Sequence, residues 1–286
     1  MKGIHDFLSA NAKYFEPLRQ KSEAAQQILK LCKGVYDSGS SLVGDNLVVL
    51  YGLRAHEDAL AAQLPVYAFF ICPSIAKWPA VADVAARFMR MAEHSYTVTE
   101  RTFARMDGYG DPDGIVSLAR LPMRGPDELA LGQDSVVFVL DGLTKPGNVG
   151  VILRSCDGAG VSAVMVCNLR TRVTHPNTIK ASMGAAFSVP IVPFPDALAC
   201  KEWLIRNNFT IYIADPKVES RYDTLRYAGR TAVVMGNEHV GACGVWYDGS
   251  ASPFAIPMNG SCDSLNVSVA ASILAYEIRR KRGEAG

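Results

Sequence analysis

Short apolar runs separated by helical stretches are the feature of the second half of the chain that most constrains its fold. The runs are rich in Val, Ile and Met and are bounded by turn residues, which is typical of strands buried on both faces. They are Val136 to Leu140, Val161 to Cys167, Ile211 to Ala214 and Val233 to Met235. Strands that alternate with helices predict an α/β fold in which helices cover both faces of a mostly parallel sheet.

The first half of the chain predicts a separate, smaller α/β domain. Its expected elements are an amphipathic helix Glu16 to Lys33, a strand Leu47 to Leu50, a helix Ala55 to Gln63, a strand Tyr67 to Cys72, a helix Val81 to His94 and a strand around Ile115 to Ala119. Residues 1–45 are therefore expected to form a helical extension and residues 46–122 a compact domain. Residues 123–134 lack periodicity and are expected to be the linker to a second domain, 135–286.

Composition excludes several classes of protein. No apolar run approaches the roughly 20 residues of a membrane-spanning helix, and the N-terminus lacks the apolar core of a signal peptide. A cytoplasmic protein without a membrane partner is expected. The seven cysteines form no close pair, which favours reduced thiols over disulfides or a metal site.

The overall charge does not indicate a general nucleic-acid binder, because 29 Lys and Arg face 28 Asp and Glu. Any RNA-binding cations must therefore be clustered. Two clusters occur, the tail Arg279 to Arg282 and an N-terminal group consisting of Lys13, Arg19, Lys21, Lys30 and Lys33. A solvated helix face and a frayed terminus explain them equally well.

Glycine-rich nucleotide-binding loops are absent, but the first strand of the second domain is followed by the pattern Asn148-x-Gly150-x-x-x-Arg154. Asn148 is a candidate N-cap for the helix that follows. Arg154 lies about 9 Å further along that helix, beside the aliphatic run 151–153. A guanidinium among aliphatic neighbours needs an anion, so Arg154 is either a structural ion-pair residue or part of a site.

Two further motifs follow later strands. Gly236-x-Glu238-x-x-Gly241 places a carboxylate between two glycines, and Gly236 is expected to let a ligand approach the backbone. Ile256-Pro257-Met258 precedes Ser264-Leu265-Asn266, where Ser264 or Asn266 is expected to cap a last helix from Val267 to Arg282.

Together, in this order and spacing, the three motifs resemble those of the SpoU (TrmH) branch of the SPOUT RNA methyltransferases. The resemblance covers about residues 135–282 and implies a SPOUT fold with a C-terminal trefoil knot and a homodimer. It implies S-adenosyl-L-methionine, held by main-chain groups around Gly236, Ile256 and Leu265 with Met258 and Ser264 nearby. No metal is implied.

The resemblance also implies methyl transfer to a ribose 2′-hydroxyl, with catalytic residues Arg154, Asn148, Glu238, Asn266 and Ser264. Since a guanidinium stays protonated, Arg154 is expected to stabilise the nascent alkoxide or an adjacent phosphate rather than act as a base. A phosphate oxygen, a water or Glu238 then receives the proton. His239 is a less favoured base, because the resembling enzymes do not rely on histidine there.

The first domain resembles the small ribosomal-protein-like RNA-binding domains attached to many SpoU enzymes, through Tyr51 to Arg54 and Asp113 to Val116. Pro112-Asp113 stands where such domains usually have His-Gln, so no particular target nucleotide is implied. Structured RNA is the expected partner, with ribosomal RNA favoured over transfer RNA. The alternatives are a tRNA 2′-O-methyltransferase, an enzyme that methylates a base nitrogen, and a noncatalytic RNA-binding or assembly protein.

Overall fold

A computed structural model describes residues 3–18, 46–106 and 113–283. The chain divides into two compact units, the first comprising Met1–Pro122 with Thr174–Ile179 and the second Met123–Val173 with Lys180–Gly286. Most of the predicted helix Glu16 to Lys33 lies outside the described residues, but its first two residues form a strand instead. Nowhere in the described ranges is a helix both long and apolar enough to cross a membrane.

The first unit is built on a five-stranded mixed sheet. In chain order its elements are α1 (Ile4–Ala10), β1 (Glu16–Pro17), β2 (Leu47–Tyr51), α2 (Gly52–Ala61), β3 (Val66–Ile71), α3 (Ala82–Met91), β4 (His94–Thr97), α4 (Glu100–Met106) and β5 (Ile115–Arg120). The strand order is β1-β4-β3-β5-β2, with β5 antiparallel to β2 and β3 and the remaining pairs parallel.

The core of this unit contains a histidine. His56 is fully buried, with its ring 4.6 Å from that of Phe88. Its Nδ1 lies 2.6 Å from the Gly52 carbonyl, and its Nε2 lies 2.9 Å from Ser117 Oγ. Because a carbonyl only accepts, Nδ1 carries the proton and Nε2 accepts from the serine hydroxyl. Burial lowers the pKa of His56 to about 4, so the ring is neutral near pH 7.

The two segments that resemble an RNA-binding domain meet in this unit. Asp113 Oδ2 accepts a hydrogen bond of 2.9 Å from the main-chain N–H of Leu53, in the first turn of α2. Gly114 has a φ of +72°, and a Cβ there would lie 2.8 Å from the carbonyl carbon of Ile75. The aspartate therefore caps α2, and the glycine allows the close approach of residues 75–76.

The second unit is built on a six-stranded sheet in which every pair is parallel. Its elements are β6 (Val136–Asp141), α5 (Pro146–Ala159), β7 (Ala163–Cys167), α7 (Ala185–Ser188), β8 (Ile191–Pro193), α8 (Ala197–Arg206), β9 (Thr210–Ala214), β10 (Thr231–Met235), β11 (Ala251–Phe254) and α9 (Val267–Gly283). The helix α6 (Pro176–Ser182) falls across the division between the units. The strand order is β11-β9-β10-β6-β7-β8.

The parallel sheet confirms the predicted fold class. Each of the four predicted strands is present within two residues of its expected start, and the last helix runs from Val267 to Gly283. The central strands are buried over their whole length, with Val233 paired to Phe138 and Val139 to Met165. Because all strands are parallel, their carboxyl ends share one edge, which is where open α/β sheets bind ligands.

Candidate active site

The loops after β6 and β10 meet at the carboxyl edge of the parallel sheet. Asn237 Nδ2 donates to the Gly142 carbonyl at 2.8 Å. Thr144 donates to Glu238 Oε2 twice, from its hydroxyl at 3.1 Å and from its main-chain N–H at 3.4 Å. Neighbouring parallel strands place these loops together, and side-chain hydrogen bonds then fix them against each other.

Three side chains from the three sequence motifs form a continuous hydrogen-bonded chain at this edge. Asn148 Nδ2 donates to Glu238 Oε1 at 2.8 Å, and Asn266 Nδ2 donates to Asn148 Oδ1 at 3.3 Å. Asn266 Oδ1 in turn accepts from the main-chain N–H and the hydroxyl of Ser268, at 2.9 and 2.7 Å. Segments up to 118 residues apart are joined in this way.

The capping roles differ from the prediction at one of the two helices. Asn266 caps α9 as predicted, whereas Ser264 is exposed and makes no hydrogen bond with the described residues. The prediction that Asn148 is an N-cap is wrong, because α5 begins at Pro146 with Lys145 in the cap position. Asn148 is already inside the helix, so its side chain is available to Glu238.

Both oxygens of Glu238 are used as acceptors. Partial burial raises the pKa of Glu238, but hydrogen bonds from its own backbone N–H, from Asn148 and from Thr144 outweigh burial and leave the pKa below its usual value. The carboxylate is therefore charged near neutral pH and is a weak proton acceptor. This geometry suits a group that orients its neighbours.

Gly236 is required by the chain itself. A Cβ at this position would lie 2.7 Å from the Ala242 Cα and closer still to the Ala242 amide nitrogen. Residues 241–242 fill the space that a side chain at Gly236 would need, and the expectation that a ligand lies against the main chain there stays a prediction. Asn237 and Gly241 exchange two main-chain hydrogen bonds of 3.0 Å and so close the loop that carries Glu238.

Asp141 is a structural residue of the site that the sequence analysis missed. It is the last residue of β6, is buried, and accepts hydrogen bonds from the Cys243 N–H at 2.6 Å and from Trp246 Nε1 at 3.0 Å. Its other oxygen accepts from Asn168 Nδ2 at 2.8 Å. An acidic residue at the end of an otherwise apolar strand was the available signal. Asp141 anchors the residues that follow Glu238.

The segment 256–265 has an unusual main chain. None of its backbone N–H or C=O groups forms a hydrogen bond with any described residue, although Ile256, Met258 and Leu265 are half-buried. Buried backbone groups are almost always paired, so unpaired groups in a half-buried segment are available for a ligand.

Arg154 is not part of the hydrogen-bonded chain. The helical period turns Ile152 and Leu153 into the core and leaves Val151 and Arg154 on the exposed face. The expectation of a guanidinium among aliphatic neighbours is therefore wrong. With the residues that the structure describes, the side chain of Arg154 makes neither a hydrogen bond nor an ion pair.

His239 is exposed, and its main-chain N–H donates to Asn237 Oδ1 at 2.9 Å. The main chain of His239 thus stabilises the turn of the loop through Asn237. Within the described ranges, no group of three or more His, Cys, Asp or Glu side chains has an arrangement that could hold a metal ion.

The basic tail is used within the protein. Three of its cations donate to main-chain carbonyls: Arg279 to Ala159, Lys281 to Asp223 and Leu225, and Arg282 to Asp134, Tyr227 and Gly229. Arg280 instead pairs with the Glu277 carboxylate at 2.8 Å. The cationic end of α9 is thereby fixed to the segment before β10. Of the N-terminal cluster, Lys13 lies 4.9 Å above the Tyr14 ring, and Arg19, Lys21, Lys30 and Lys33 lie outside the described residues.

A parallel sheet with three polar loop segments gathered at its carboxyl edge defines the second unit as an α/β ligand-binding domain. Residues 135–276, just under half of the chain, match the SpoU rRNA Methylase family. The predicted family resemblance is thus confirmed.

Relatives and solved structures agree with this assignment. The 23S rRNA (guanosine-2′-O-)-methyltransferase RlmB of Salmonella typhi is 36% identical over 157 residues, which are 55% of this chain and 65% of the relative. The chain therefore spans about two thirds or less of the curated relatives it matches. A solved RNA 2′-O ribose methyltransferase is similar with a TM-score of 0.74 and 28% identity, covering 92% of this chain and 98% of the other.

A further solved structure shows the fold. The SpoU methyltransferase AviRb from Streptomyces viridochromogenes, in complex with the cofactor AdoMet, has a TM-score of 0.80 with 22% identity. The similarity covers 92% of this chain and 98% of AviRb. Both units therefore have counterparts in a single known protein.

Proposed function

We propose that the protein is an S-adenosyl-L-methionine-dependent RNA methyltransferase that modifies a ribose 2′-hydroxyl, with ribosomal RNA as its substrate. The observation that carries the proposal is the chain of hydrogen bonds through Glu238, Asn148 and Asn266, which joins the three family motifs at one edge of the sheet. The matched RlmB relative, which methylates guanosine in 23S rRNA by its name, supports the choice of substrate.

The segment 256–265 fits the cofactor. Its unpaired main-chain groups offer both donors and acceptors, as the adenine and amino-acid ends of the molecule require. Gly236 and Ile256 follow β10 and β11, and Leu265 directly precedes the cap of α9. Met258 and the exposed Ser264 would lie beside it. When bound, S-adenosyl-L-methionine supplies an electrophilic methyl group on a sulfonium.

The residues of the chain then have distinct tasks. Methyl transfer needs the acceptor oxygen in line with the bond that breaks, so orientation supplies much of the rate. Asn148, Glu238 and Asn266 are positioning residues for the ribose. The cation of Arg154 stabilises the nascent alkoxide or the neighbouring phosphate. Both oxygens of Glu238 already accept hydrogen bonds from Thr144 and Asn148, which leaves a water or a phosphate oxygen as the proton acceptor.

Two copies of the chain are proposed to complete the site. Arg154 is exposed six residues beyond Asn148, where a second copy or the RNA could approach it. The same helix pair exposes apolar side chains, namely Val151 on α5 and Val269 and Tyr276 on α9. The helices α5 and α9 are packed together, with Ser155 Oγ 2.6 Å from Ser272 Oγ, so the exposed apolar side chains belong to one helix pair. An interface there would cover them.

Mixing two inactive variants tests the shared site. Arg154→Ala and Glu238→Ala would each inactivate a homodimer, whereas a mixed dimer retains one site with both native residues if the two come from different chains. Co-expression with two different affinity tags and purification of the mixed dimer should restore up to about half of the activity per dimer. An inactive mixed dimer would contradict a shared site, and a monomer with full activity would contradict the dimer.

A trefoil knot is proposed for the end of the second unit. The segment between β9 and β10 is contacted by two later segments, since Ala255 exchanges main-chain hydrogen bonds with Ser220 and Tyr222 and the end of α9 binds carbonyls of residues 223–229. A chain end passing through that segment would produce such contacts. Optical-tweezers extension tests it, because a tightened knot leaves the unfolded chain shorter than its full contour length.

The first unit, mainly residues 46–122, is proposed to bind the RNA, with residues 1–45 as an extension and 123–134 as the connection to residues 135–286. Its support is the cap of α2 by Asp113, which assembles the two segments that resemble RNA-binding domains. Deleting residues 1–122 should weaken RNA binding and leave cofactor affinity unchanged. An RNA affinity equal to that of the full chain would contradict a role of the first unit in RNA binding.

Methyl-labelled S-adenosyl-L-methionine tests the function as a whole. The protein is incubated with separate ribosomal and transfer RNA pools that lack modifications, and the labelled nucleosides are identified by mass analysis. We expect a 2′-O-methylated nucleoside from ribosomal RNA alone. Label on a base nitrogen or on transfer RNA would contradict the acceptor or the substrate. RNA binding without any label would indicate a noncatalytic RNA-binding protein.

A further inference from the structure

Charge is distributed unevenly along a chain that is almost neutral. Residues 142–195 contain five Lys and Arg and a single acidic residue, Asp157. The rest of the chain has 24 basic against 27 acidic residues, by subtraction from 29 and 28. The segment that includes α5, β7 and the loops before them is therefore distinctly cationic within an otherwise slightly acidic protein.

Two loops of this segment are joined at the carboxyl edge of the sheet. The main-chain N–H of Arg170, in the loop after β7, donates to the Leu143 carbonyl at 3.0 Å. The N–H of Gly142 donates to the Cys167 carbonyl at 3.1 Å. Since Thr144 also holds Glu238, the loop after β7 is fixed next to the candidate active site.

Two cations of these loops are exposed. Lys145 and Arg170 make no ion pair within the described ranges. Asp157 lies near the end of α5, thus towards the opposite edge of the sheet, and accepts a hydrogen bond of 2.7 Å from Ser188 Oγ. The acidic residue of the segment is therefore placed away from the exposed cations.

We infer that Lys145 and Arg170 bind backbone phosphates of the RNA next to the nucleotide that is methylated. Exposed cations fixed on rigid loops suit a polyanion, whose phosphates orient a nucleic acid without reading its sequence. The basic tail is unsuited to this task, because three of its cations are bound to main-chain carbonyls and Arg280 pairs with Glu277. The choice of RNA as the polyanion rests on the proposed function.

Filter binding of a 23S ribosomal RNA transcript over a series of KCl concentrations tests the inference. The variant is Lys145→Gln with Arg170→Gln. The control, Arg206→Gln with Arg226→Gln, removes the same charge from two exposed residues that precede β9 and β10 and so lie towards the opposite edge. Cofactor affinity, measured by calorimetry, should be the same for all three proteins and serves as the test of folding.

The variant should bind the transcript on the order of tenfold more weakly, and the slope of log affinity against log salt should become shallower by about 1.5 to 2 for two lost phosphate contacts. The control should match the wild type. Equal affinity and slope in all proteins, or an equal loss in the control, would overturn the inference. A wild type that binds RNA but transfers no methyl group would contradict the proposed function alone, since binding needs no catalysis.

Discussion

Reversing the hydrogen bond between Glu238 and Asn148 is the sharpest mutational test of the site. The chain of amides has a fixed direction, because Glu238 only accepts at one end and the N–H of Ser268 only donates at the other. Each amide between them must therefore donate towards Glu238. Glu238→Gln replaces one acceptor oxygen with an NH2 group, which must face either Asn148 Nδ2 or the Thr144 N–H, so one of these hydrogen bonds cannot form.

The energetic cost of Glu238→Gln follows from one hydrogen bond that is lost. A lost hydrogen bond with an unpaired polar group costs about 1 to 3 kcal/mol, and the partial exposure of Glu238 favours the lower part of this range, about 1 to 2 kcal/mol. If the cost appears in the transition state, kcat/KM falls by about 5- to 30-fold. Asn148→Asp alone places two carboxylates together and should be at least as damaging.

Combining Glu238→Gln with Asn148→Asp restores the hydrogen bond between positions 238 and 148, with donor and acceptor exchanged. The new amide donates to the new carboxylate and accepts from Thr144, while the side chain at 148 still accepts from Asn266. The net charge is unchanged, and a carboxylate in the first turn of α5 suits the helix dipole. Methyl-transfer rates under single-turnover conditions should show the double variant more active than either single variant. Non-rescue, or a Glu238→Gln enzyme within twofold of wild type, would refute the reasoning.

Three further predictions concern folding of the two units. Gly236→Ala places a Cβ against the Ala242 backbone, so cofactor binding measured by calorimetry should be lost, and wild-type affinity would contradict the close packing. Asp141→Ala leaves the Trp246 indole N–H unpaired, and chemical denaturation should show a loss of about 1 to 3 kcal/mol with altered tryptophan fluorescence; an unchanged midpoint would refute it. Burial lowers the pKa of His56 from 6.5 to about 4, so the free energy of unfolding is retained above pH 6.5 and falls by about 2 kcal/mol at pH 5. His56→Gln should remove this pH dependence, and a variant that keeps it would contradict the assignment to His56.

Much of the second unit could be predicted because its strands are buried on both faces and its motifs are local. The missed strands β8 and β11 are short and contain Pro193 and Pro253, which argue against a strand from sequence alone. In the first unit the predicted helix Val81 to His94 ends at Met91, and the polar strand His94–Thr97 follows directly. Apolar periodicity carries no signal for such elements.

The sequence predicted most residues of the candidate site but only some of their hydrogen-bond partners. Asn266 caps a helix through neighbours in sequence, so its pattern was sufficient. Asn148 bonds to Glu238, which is 90 residues away, and no local pattern distinguishes that role from an N-cap. The exposure of Arg154 depends on which face of α5 the sheet covers. The role of Asp141 was hidden because two of its partners, Cys243 and Trp246, lie about a hundred residues further along the chain.

Comparing wild-type protein with Arg154→Ala and Arg154→Lys tests directly whether Arg154 takes part in methyl transfer. Methyl transfer to unmodified ribosomal RNA is measured in a single turnover, with cofactor affinity determined in parallel. We expect a 2′-O-methylated nucleoside from the wild type and a loss of about 100-fold or more in Arg154→Ala with cofactor affinity intact. Arg154→Lys, which keeps the charge, should retain partial activity. Transfer by Arg154→Ala at the wild-type rate would contradict this role of Arg154.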